Sequence, residues 1–288
     1  MNSSASDNLS PIKAAGPIGI FDSGVGGLSV LRHIATQLPN EDLIYFADSG
    51  FAPYGDKPEE FVIERSFRIT DFLLKQNIKA LVVACNTATA ITIHLLREKY
   101  PDLPIVGVEP GLKPAAAKTI TGTVGVMATE RTLASNKFHV LHQLLNDQTG
   151  VHFIMQPCNG MADLIEHAEL DSEPIFELVR RYLVPLLEQK ADTIVLGCTH
   201  FNYFKESYQE IFPNKIEFVD GNEGALRELI RRMEKECDTI SVKNGANDAK
   251  EFSKTDRVTY YFSGKQISAA DQIRIDKYMC QLDRMALI

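Results

Sequence analysis

The sequence predicts an α/β protein with two similar domains, each with a mainly parallel central sheet flanked by helices, and a site in the interdomain cleft. Short apolar runs rich in β-branched residues alternate with amphipathic stretches along most of the chain, as in successive βαβ units. Two of these runs end alike, in Cys85-Asn-Thr and in Cys198-Thr-His. Because ligands bind at the carboxyl ends of parallel strands, the two thiols are expected to face each other across the cleft.

In the first half of the chain, four short apolar runs have the length and composition of buried parallel strands. They are Ile18–Asp22, Leu43–Asp48, Ala80–Cys85 and Ile105–Val108. Three amphipathic stretches between them predict helices, at Leu28–Leu38, Pro58–Asn77 and Thr87–Tyr100. The alternation predicts parallel strands that are covered by these helices.

The alternation resumes after the fourth run. Predicted strands are Thr123–Ala128, Val151–Gln156, Thr193–Cys198 and Ile216–Asp220, and a last one is Val258–Ser263. One predicted helix follows Ala128 and extends to about Asn146. The others cover Met161–His167, Glu173–Gln189 and Glu223–Cys237, and run from about Ser268 to Leu287. The polar stretch Asp238–Asp256 predicts a surface loop or an irregular connection.

The late strand suggests that the carboxyl-terminal segment returns to complete the first domain. We therefore expect a first α/β domain of residues 17–110 plus 220–288, and a second of residues 111–219. Residues 1–16 are polar and rich in Ser and Asn, so they predict a flexible tail without the apolar segment of a secretion signal.

Composition excludes several classes of protein. A net charge of −8 and a pI near 5.4 argue against a nucleic-acid partner, which needs clustered Lys and Arg. The longest apolar runs have the length of strands, so no membrane span is predicted. Five widely spaced cysteines do not suggest a disulfide framework, and this favours the reducing cytoplasm. Scattered histidines and the lack of a Cys-x-x-Cys pair argue against a metal site.

The glycine-rich stretch Phe21–Ser29 follows the first strand and opens the first helix. It matches neither a dinucleotide fingerprint, because Ser29 stands in place of the third glycine, nor a P-loop. One interpretation is a tight turn with Asp22 or Ser23 as the helix cap. The other is a site for an amine and an anion, in which Asp22 attracts the amine and Ser23 donates a hydrogen bond.

Free cysteines usually behave as small buried hydrophobes. Cys85 and Cys198 differ because each ends a strand and precedes polar residues, and because a helix N-terminus near Cys85 would lower its pKa. Rapid labelling of both thiols near neutral pH would then favour catalysis. Cys237 and Cys280 fall on helical patterns and are expected in the core, whereas Cys158 ends a strand and could form a pocket wall.

His200 lies two residues after the second thiol. A satisfied structural histidine is one interpretation, but the neighbouring Cys198 favours a proton-handling role, because imidazole titrates near neutral pH.

Taken together, these motifs resemble the glutamate racemases, a cofactor-independent branch of the aspartate/glutamate racemase superfamily. The matching stretches are Gly19–Leu31, Tyr45–Ser49, Pro53–Gly55, Val83–Thr89 and Leu196–His200, with weaker matches at Gly107–Pro110, Ala128–Thr132 and Val219–Ala225. The resemblance covers residues 17–225.

The resemblance implies a two-base racemisation of glutamate that supplies D-glutamate for peptidoglycan, without pyridoxal phosphate or another cofactor. It implies that Cys85 deprotonates the D-enantiomer and Cys198 the L-enantiomer, while Asp22, His200 and Glu166 orient the thiols and the substrate amine. Residues implied in substrate binding are Asp22, Ser23, Tyr54, Gly55, Asn86, Thr87, Thr199 and His200. Relatives are often homodimers, but the sequence leaves the oligomeric state open.

Two stretches depart from the family pattern: Cys158-Asn159-Gly160 replaces Cys-Pro-Leu, and Asn202-Tyr203 replaces Pro-Leu after the aromatic residue. Substrate affinity or regulation is expected to differ there. Relatives controlled by a cell-wall precursor have a longer amino-terminal extension, so such control is not expected here. The alternatives are a racemase for aspartate or another amino acid, and a non-catalytic binding protein with inert thiols.

Overall fold

The computed structural model describes residues 15–167, 173–205, 208, 216–236, 257–263, 265–266 and 269–285. Nearly all of the predicted tail at residues 1–16, and all of the predicted loop Asp238–Asp256, lie outside the described residues. The described strands are β1 (Ile18–Asp22), β2 (Leu43–Ala47), β3 (Ala80–Val83), β4 (Ile105–Gly107), β5 (Thr123–Ala128), β6 (His152–Pro157), β7 (Thr193–Gly197), β8 (Glu217–Val219), β9 (Val258–Phe262) and β10 (Lys265–Gln266). The described α-helices are α1 (Leu28–Gln37), α2 (Glu59–Lys75), α3 (Asn86–Lys99), α4 (Leu112–Lys118), α5 (Glu130–Ala134), α6 (Asn136–Thr149), α7 (Met161–His167), α8 (Glu173–Glu188), α9 (Asn222–Glu236) and α10 (Ala269–Met285).

The strands form two sheets, so the predicted fold class is confirmed. The first sheet has the order β10-β9-β2-β1-β3-β4 and the second has the order β6-β5-β7-β8. Every pair is parallel except β9 and β10, which are antiparallel. Residues of β1, β2, β3 and β7 are buried along their whole length, which explains their continuous apolar runs.

The late strand β9 joins the first sheet. It lies beside β2, with Val258 opposite Leu43 and Phe262 opposite Ala47. The carboxyl-terminal part of the chain therefore returns to the sheet formed by its amino-terminal part. The domain boundaries at residues 110 and 220 stay a prediction.

Some elements differ from those predicted. The helix expected to extend to about Asn146 is two helices, α5 and α6, because Ser135 between them is extended, with φ −69° and ψ 141°. Its hydroxyl oxygen accepts the Phe138 N–H at 3.2 Å and caps α6. The short elements α4 and β10 were not predicted, because so few residues show no clear periodicity. None of the described helices combines the length and apolar character needed to cross a bilayer.

The carboxyl-terminal helix α10 packs against the middle of the molecule. Its buried residues Ile275, Tyr278, Met279 and Leu282 belong to the same apolar cluster as those of α1, α7 and α8. The Tyr278 ring meets the Tyr203 ring edge to face at 4.6 Å between centroids. The helix thus buries the outer side of the segment that follows β7.

Candidate active site

The glycine-rich turn after β1 places a buried carboxylate at the carboxyl edge of the first sheet. Asp22 is fully buried. Its Oδ1 accepts the Gly24 N–H at 2.9 Å, and its Oδ2 accepts the Thr199 hydroxyl at 3.1 Å. Helix α1 begins without a side-chain cap, so the interpretation in which Asp22 or Ser23 caps it is wrong. Burial raises the pKa of Asp22, although the charge of His200 opposes that rise.

Two glycines of this turn let the second half of the chain approach closely. A Cβ atom on Gly24 would lie 2.2 Å from Glu166 Oε2, and one on Gly26 would lie 2.5 Å from His200 Nδ1. Both distances are far below van der Waals contact. The glycines are therefore required by this close approach of the two halves of the chain.

Cys85 lies between β3 and α3 and is 6% exposed. Its sulfur accepts the Ala88 N–H at 3.5 Å as the N-cap of α3, and its S–H donates to Ser23 Oγ at 3.6 Å. Burial and the charge of Asp22 raise the pKa of Cys85 to about 12, and the contacts with Ala88 and Ser23 only partly offset that rise. The expectation of a lowered pKa is thus wrong in its net direction. At neutral pH Cys85 is a protonated thiol.

Cys198 follows β7 and starts a chain of proton-carrying groups. Its sulfur lies 3.8 Å from His200 Nδ1, and His200 Nε2 lies 2.8 Å from Glu166 Oε2. Burial lowers the pKa of His200, but its hydrogen bonds to Cys198 and Glu166 raise the pKa well above its ordinary value. Burial raises the pKa of Glu166, and the contact with His200 brings it below its ordinary value. A charged imidazolium can therefore exchange a proton with the second thiol.

Glu166 is fully buried and has four partners from four parts of the chain, three through hydrogen bonds and one through an ion pair. Its Oε2 accepts the Val25 N–H at 2.9 Å as well as His200. Its Oε1 accepts the Ser49 hydroxyl at 2.7 Å and forms an ion pair with Arg274 Nη2 at 3.5 Å. These contacts satisfy a charge that would otherwise be costly to bury.

Three of the predicted binding residues lie beside the thiols or the carboxylate of Asp22. Ser23 contacts Cys85, and Thr199 donates to Asp22. Asn86 begins α3, and its side-chain amide donates to the Val108 carbonyl at 3.2 Å. The structure thus brings these polar groups to the carboxyl ends of β1, β3 and β7.

The other three binding candidates meet the second sheet or a second carboxylate. Thr87 Oγ1 lies 3.0 Å from Thr129 Oγ1, and a Cβ atom on Gly55 would lie 2.9 Å from Thr129 Cγ2. The Tyr54 hydroxyl donates to Asp48 Oδ2 at 2.5 Å, so its proton is already engaged within the protein. These residues line the junction of the two halves of the chain.

The remaining cysteines have different surroundings. Cys158 is 2% exposed, and its S–H donates to the Gln156 carbonyl at 3.3 Å. Burial and the nearby charge of Cys198 raise the pKa of Cys158. Cys280 is exposed, so the prediction that it lies in the core is wrong: α10 turns this position to solvent. Cys237 lies outside the described residues.

Several site residues escaped the sequence analysis. Tyr45 and Tyr203 each donate a hydrogen bond of 2.6 Å to a carbonyl of the glycine-rich turn. Ser49 reaches Glu166, as described above. Tyr45 and Ser49 lie in the matched stretch Tyr45–Ser49, and Thr129 lies in a weaker match, so the signal was present there. For Arg274 the sequence carried no signal.

One departure from the family pattern directly precedes α7, which carries Glu166, and the other follows His200 in the chain. Gly160 has φ +76°, a conformation that favours glycine, at the start of α7. The Asn202 amide donates to Ser29 Oγ at 3.3 Å, and Tyr203 holds the glycine-rich turn. The residues that stand here in place of Pro and Leu thus contribute hydrogen bonds or a turn conformation that Pro and Leu cannot supply.

Sequence and structure comparisons both find similarity to racemases of amino acids. A family profile described as Asp/Glu/Hydantoin racemase matches residues 18–229. Glutamate racemase of Pseudomonas syringae pv. tomato is 49% identical over 217 residues, which cover 75% of this chain and 78% of the relative. Glutamate racemase of Escherichia coli, solved with L-glutamate and the activator UDP-MurNAc-ala, superimposes with a TM-score of 0.75 at 31% identity, covering 92% and 96% of the two chains. The enzyme of Francisella tularensis, solved with D-glutamate, gives a TM-score of 0.73 at 26% identity, covering 93% and 95%.

Proposed function

The chain belongs to the Asp/Glu/Hydantoin racemase family, and we propose that it interconverts L-glutamate and D-glutamate by a two-base mechanism. In this mechanism Cys85 and Cys198 act on opposite faces of the α-carbon. The observation that carries the proposal is that two buried thiols from the ends of two sheets lie at one junction: Cys85 contacts Ser23, and the adjacent Asp22 accepts the hydroxyl of Thr199, which follows Cys198.

In the direction from L- to D-glutamate, the Cys198 thiolate takes the α-proton and the Cys85 S–H returns a proton to the opposite face. The reverse direction exchanges the two roles. The α-carbon loses one proton and gains one, so each turnover leaves the two thiols with exchanged protonation states. Before the next turnover in the same direction, a proton must leave Cys198 and another must reach Cys85.

His200 and Glu166 serve the Cys198 side of this cycle. The imidazole lies between the thiol and the carboxylate, at 3.8 Å and 2.8 Å. As an imidazolium it can supply a proton when Cys198 acts as the acid, and the neutral imidazole left by that transfer can then take a proton back from the thiol. Such placed acid–base groups typically contribute about 10²–10⁴-fold to a rate.

Asp22 suits the substrate amine. Among the described residues it accepts hydrogen bonds from the Gly24 N–H and the Thr199 hydroxyl. Its negative charge is buried beside Cys85 and raises the pKa of that thiol. A bound ammonium group would stabilise the buried charge of Asp22 and lower the pKa of Cys85, because a nearby positive charge favours the carboxylate and the thiolate. Substrate binding then activates the base.

The remaining polar groups suit the two carboxylates of glutamate. Ser23, Asn86, Thr87 and Thr199 are buried hydroxyl and amide groups at the strand ends. The N-terminus of α3 adds backbone N–H groups, which favour an anion. We propose that Tyr54 and Gly55 shape the pocket wall beside Thr129, while the hydroxyl of Tyr54 stays with Asp48.

Chiral chromatography of purified protein with L-glutamate, and separately with L-aspartate, tests this proposal. We expect glutamate to racemise, and aspartate to racemise much more slowly. Comparable turnover of aspartate would favour another branch of the superfamily. Tight binding of an amino acid without any racemisation would favour a binding protein. Treatment with hydroxylamine, which traps carbonyl cofactors such as pyridoxal phosphate, is expected to leave the rate unchanged.

The cellular role follows from the product. We propose that the protein works in the cytoplasm and supplies D-glutamate for peptidoglycan. Expression in a bacterium that requires external D-glutamate tests this role, and growth without D-glutamate is the expected outcome. Growth restored by the native chain but not by Cys198→Ala would tie the rescue to the proposed chemistry.

A further inference from the structure

The carboxyl-terminal helix α10 reaches the Glu166–His200 pair from outside the cleft. The Arg274 guanidinium lies 3.5 Å from Glu166 Oε1. One turn further along the helix, the Tyr278 hydroxyl donates to the Ile165 carbonyl at 2.5 Å. The same tyrosine packs against Tyr203 in the segment that carries His200. Helix α10 therefore contacts both segments that hold the pair in place.

Arg274 differs from the other partners of Glu166. Ser49, Val25 and His200 form hydrogen bonds of 2.7 to 2.9 Å, and these fix the position of the carboxylate. Arg274 Nη2 stands further away, at 3.5 Å, and forms an ion pair with Glu166 without a hydrogen bond. Its guanidinium is always charged, however, and its side chain is 30% exposed. Its distinct contribution is a permanent positive charge beside a buried negative one.

We propose that Arg274 is a positioning residue that acts through Glu166: its charge offsets part of the carboxylate charge, so that His200 can release its proton and serve the Cys198 half of the reaction. The inference rests on the proposed function. It assigns to α10 a role in only one of the two half-reactions, because the described hydrogen bonds of Cys85 are with Ser23 and Ala88 and not with this helix.

The charged and titratable groups around Glu166 come from four parts of the chain. They are Asp22 at the end of β1, Tyr45 on β2, His200 and Tyr203 after β7, and Arg274 and Tyr278 on α10. Removing the positive charge of Arg274 leaves a more negative potential at this cluster. That change favours the protonated forms, so the pKa of both Glu166 and His200 should rise.

The first test needs no substrate. The protonation of His200 is followed by NMR in the wild-type protein, in Arg274→Gln and in Arg274→Lys. We expect the His200 midpoint to move to higher pH in Arg274→Gln and to return toward the wild-type value in Arg274→Lys. If Arg274 has only a structural role, Arg274→Gln should loosen the packing and admit water. The His200 midpoint would then move toward the ordinary value for histidine. That outcome, or an unchanged midpoint, would overturn the proposal.

The second test separates the half-reactions by exchange of the α-proton in heavy water. In the Cys85→Ala background, where Cys198 is the remaining base, Arg274→Gln should slow exchange into L-glutamate by about tenfold. In the Cys198→Ala background, exchange into D-glutamate should change less than about twofold. Equal slowing of both would contradict the proposal.

The matched control is Arg68→Gln on α2. It removes an exposed arginine that is paired with Glu64 and should change neither the titration nor the exchange. If the wild-type protein does not racemise glutamate, the proposed function fails, whereas the NMR titration still decides whether Arg274 acts on His200.

Discussion

Cys85 and Cys198 occupy equivalent places in their sheets and have unlike neighbours. Each ends a buried parallel strand. Cys85 contacts the Ser23 hydroxyl and the Ala88 N–H, which do not titrate near neutral pH. Cys198 contacts His200, which is in turn paired with a carboxylate. The two halves of the fold thus place a thiol at the same position, but only Cys198 has a titratable pair beside it that can exchange protons with it.

This difference teaches where an asymmetry can appear in a racemase. The enantiomers have equal free energy in water, so the equilibrium constant is one. For any variant, kcat/KM must therefore be equal in the two directions. Unequal surroundings of the thiols can affect only the separate half-reactions, kcat and the dependence on pH. The difference between Cys85 and Cys198 is therefore visible only in measurements that isolate the reaction of one thiol.

The largest expected effect comes from removing either thiol. Cys85→Ala and Cys198→Ala should each lower racemisation by more than about 10³-fold, because one face of the α-carbon loses its acid or base. Cys85→Ala should retain slow exchange into L-glutamate only, and Cys198→Ala into D-glutamate only. Chiral chromatography with mass detection in heavy water measures both quantities. Near wild-type racemisation by either variant would show that the two-base assignment is wrong.

The second prediction removes the imidazole and keeps the thiol. His200→Asn should slow racemisation by about 10²–10³-fold, the range expected for a lost acid–base group. In the Cys85→Ala background it should slow exchange into L-glutamate by a similar factor. In the Cys198→Ala background it should have a much smaller effect on D-glutamate. Equal effects in the two backgrounds would mean that His200 supports the cleft as a whole and not one thiol.

The sequence was sufficient for the parts of this comparison that depend on local pattern. A strand of apolar, β-branched residues that is followed by Cys and then by Thr residues places a thiol at the carboxyl end of a parallel strand. The structure places Cys85 and Cys198 in this way. The division between α5 and α6 was also visible in principle, because Ser135 is a favourable N-cap residue.

The sequence was not sufficient where distant parts of the chain meet. Glu166 was identified only through the resemblance, because nothing local shows that α7 points a carboxylate at His200. The contact of Arg274 with Glu166 depends on how α10 packs after the chain returns to the first sheet. The raised pKa of Cys85 was missed for a related reason, since the depth of burial is a property of the whole fold and outweighs the helix N-terminus.

The third prediction uses that pKa. With a pKa raised to about 12, alkylation of Cys85 by iodoacetamide in the substrate-free protein should be slow at neutral pH and rise about tenfold per pH unit up to about pH 9. Peptide mapping by mass spectrometry assigns the rate to Cys85. A plateau near neutral pH would show that the thiol is activated before substrate binds. Slow neutral labelling is therefore compatible with catalysis, contrary to the simpler expectation from sequence.

The smallest effects are expected at Cys280 and Cys158, which the proposed mechanism does not use, and they separate burial from catalysis. Cys280 is exposed, so Cys280→Ala should change the free energy of unfolding by less than about 0.5 kcal/mol and leave racemisation intact. Cys158 is buried, so Cys158→Ala should cost about 1 kcal/mol through lost packing while keeping most of the activity. Urea unfolding and the chiral assay measure the two quantities on the same samples. A loss of activity in Cys158→Ala as large as in Cys198→Ala would mean that the second sheet contributes two reactive thiols, and the pairing of one thiol from each sheet would have to be abandoned.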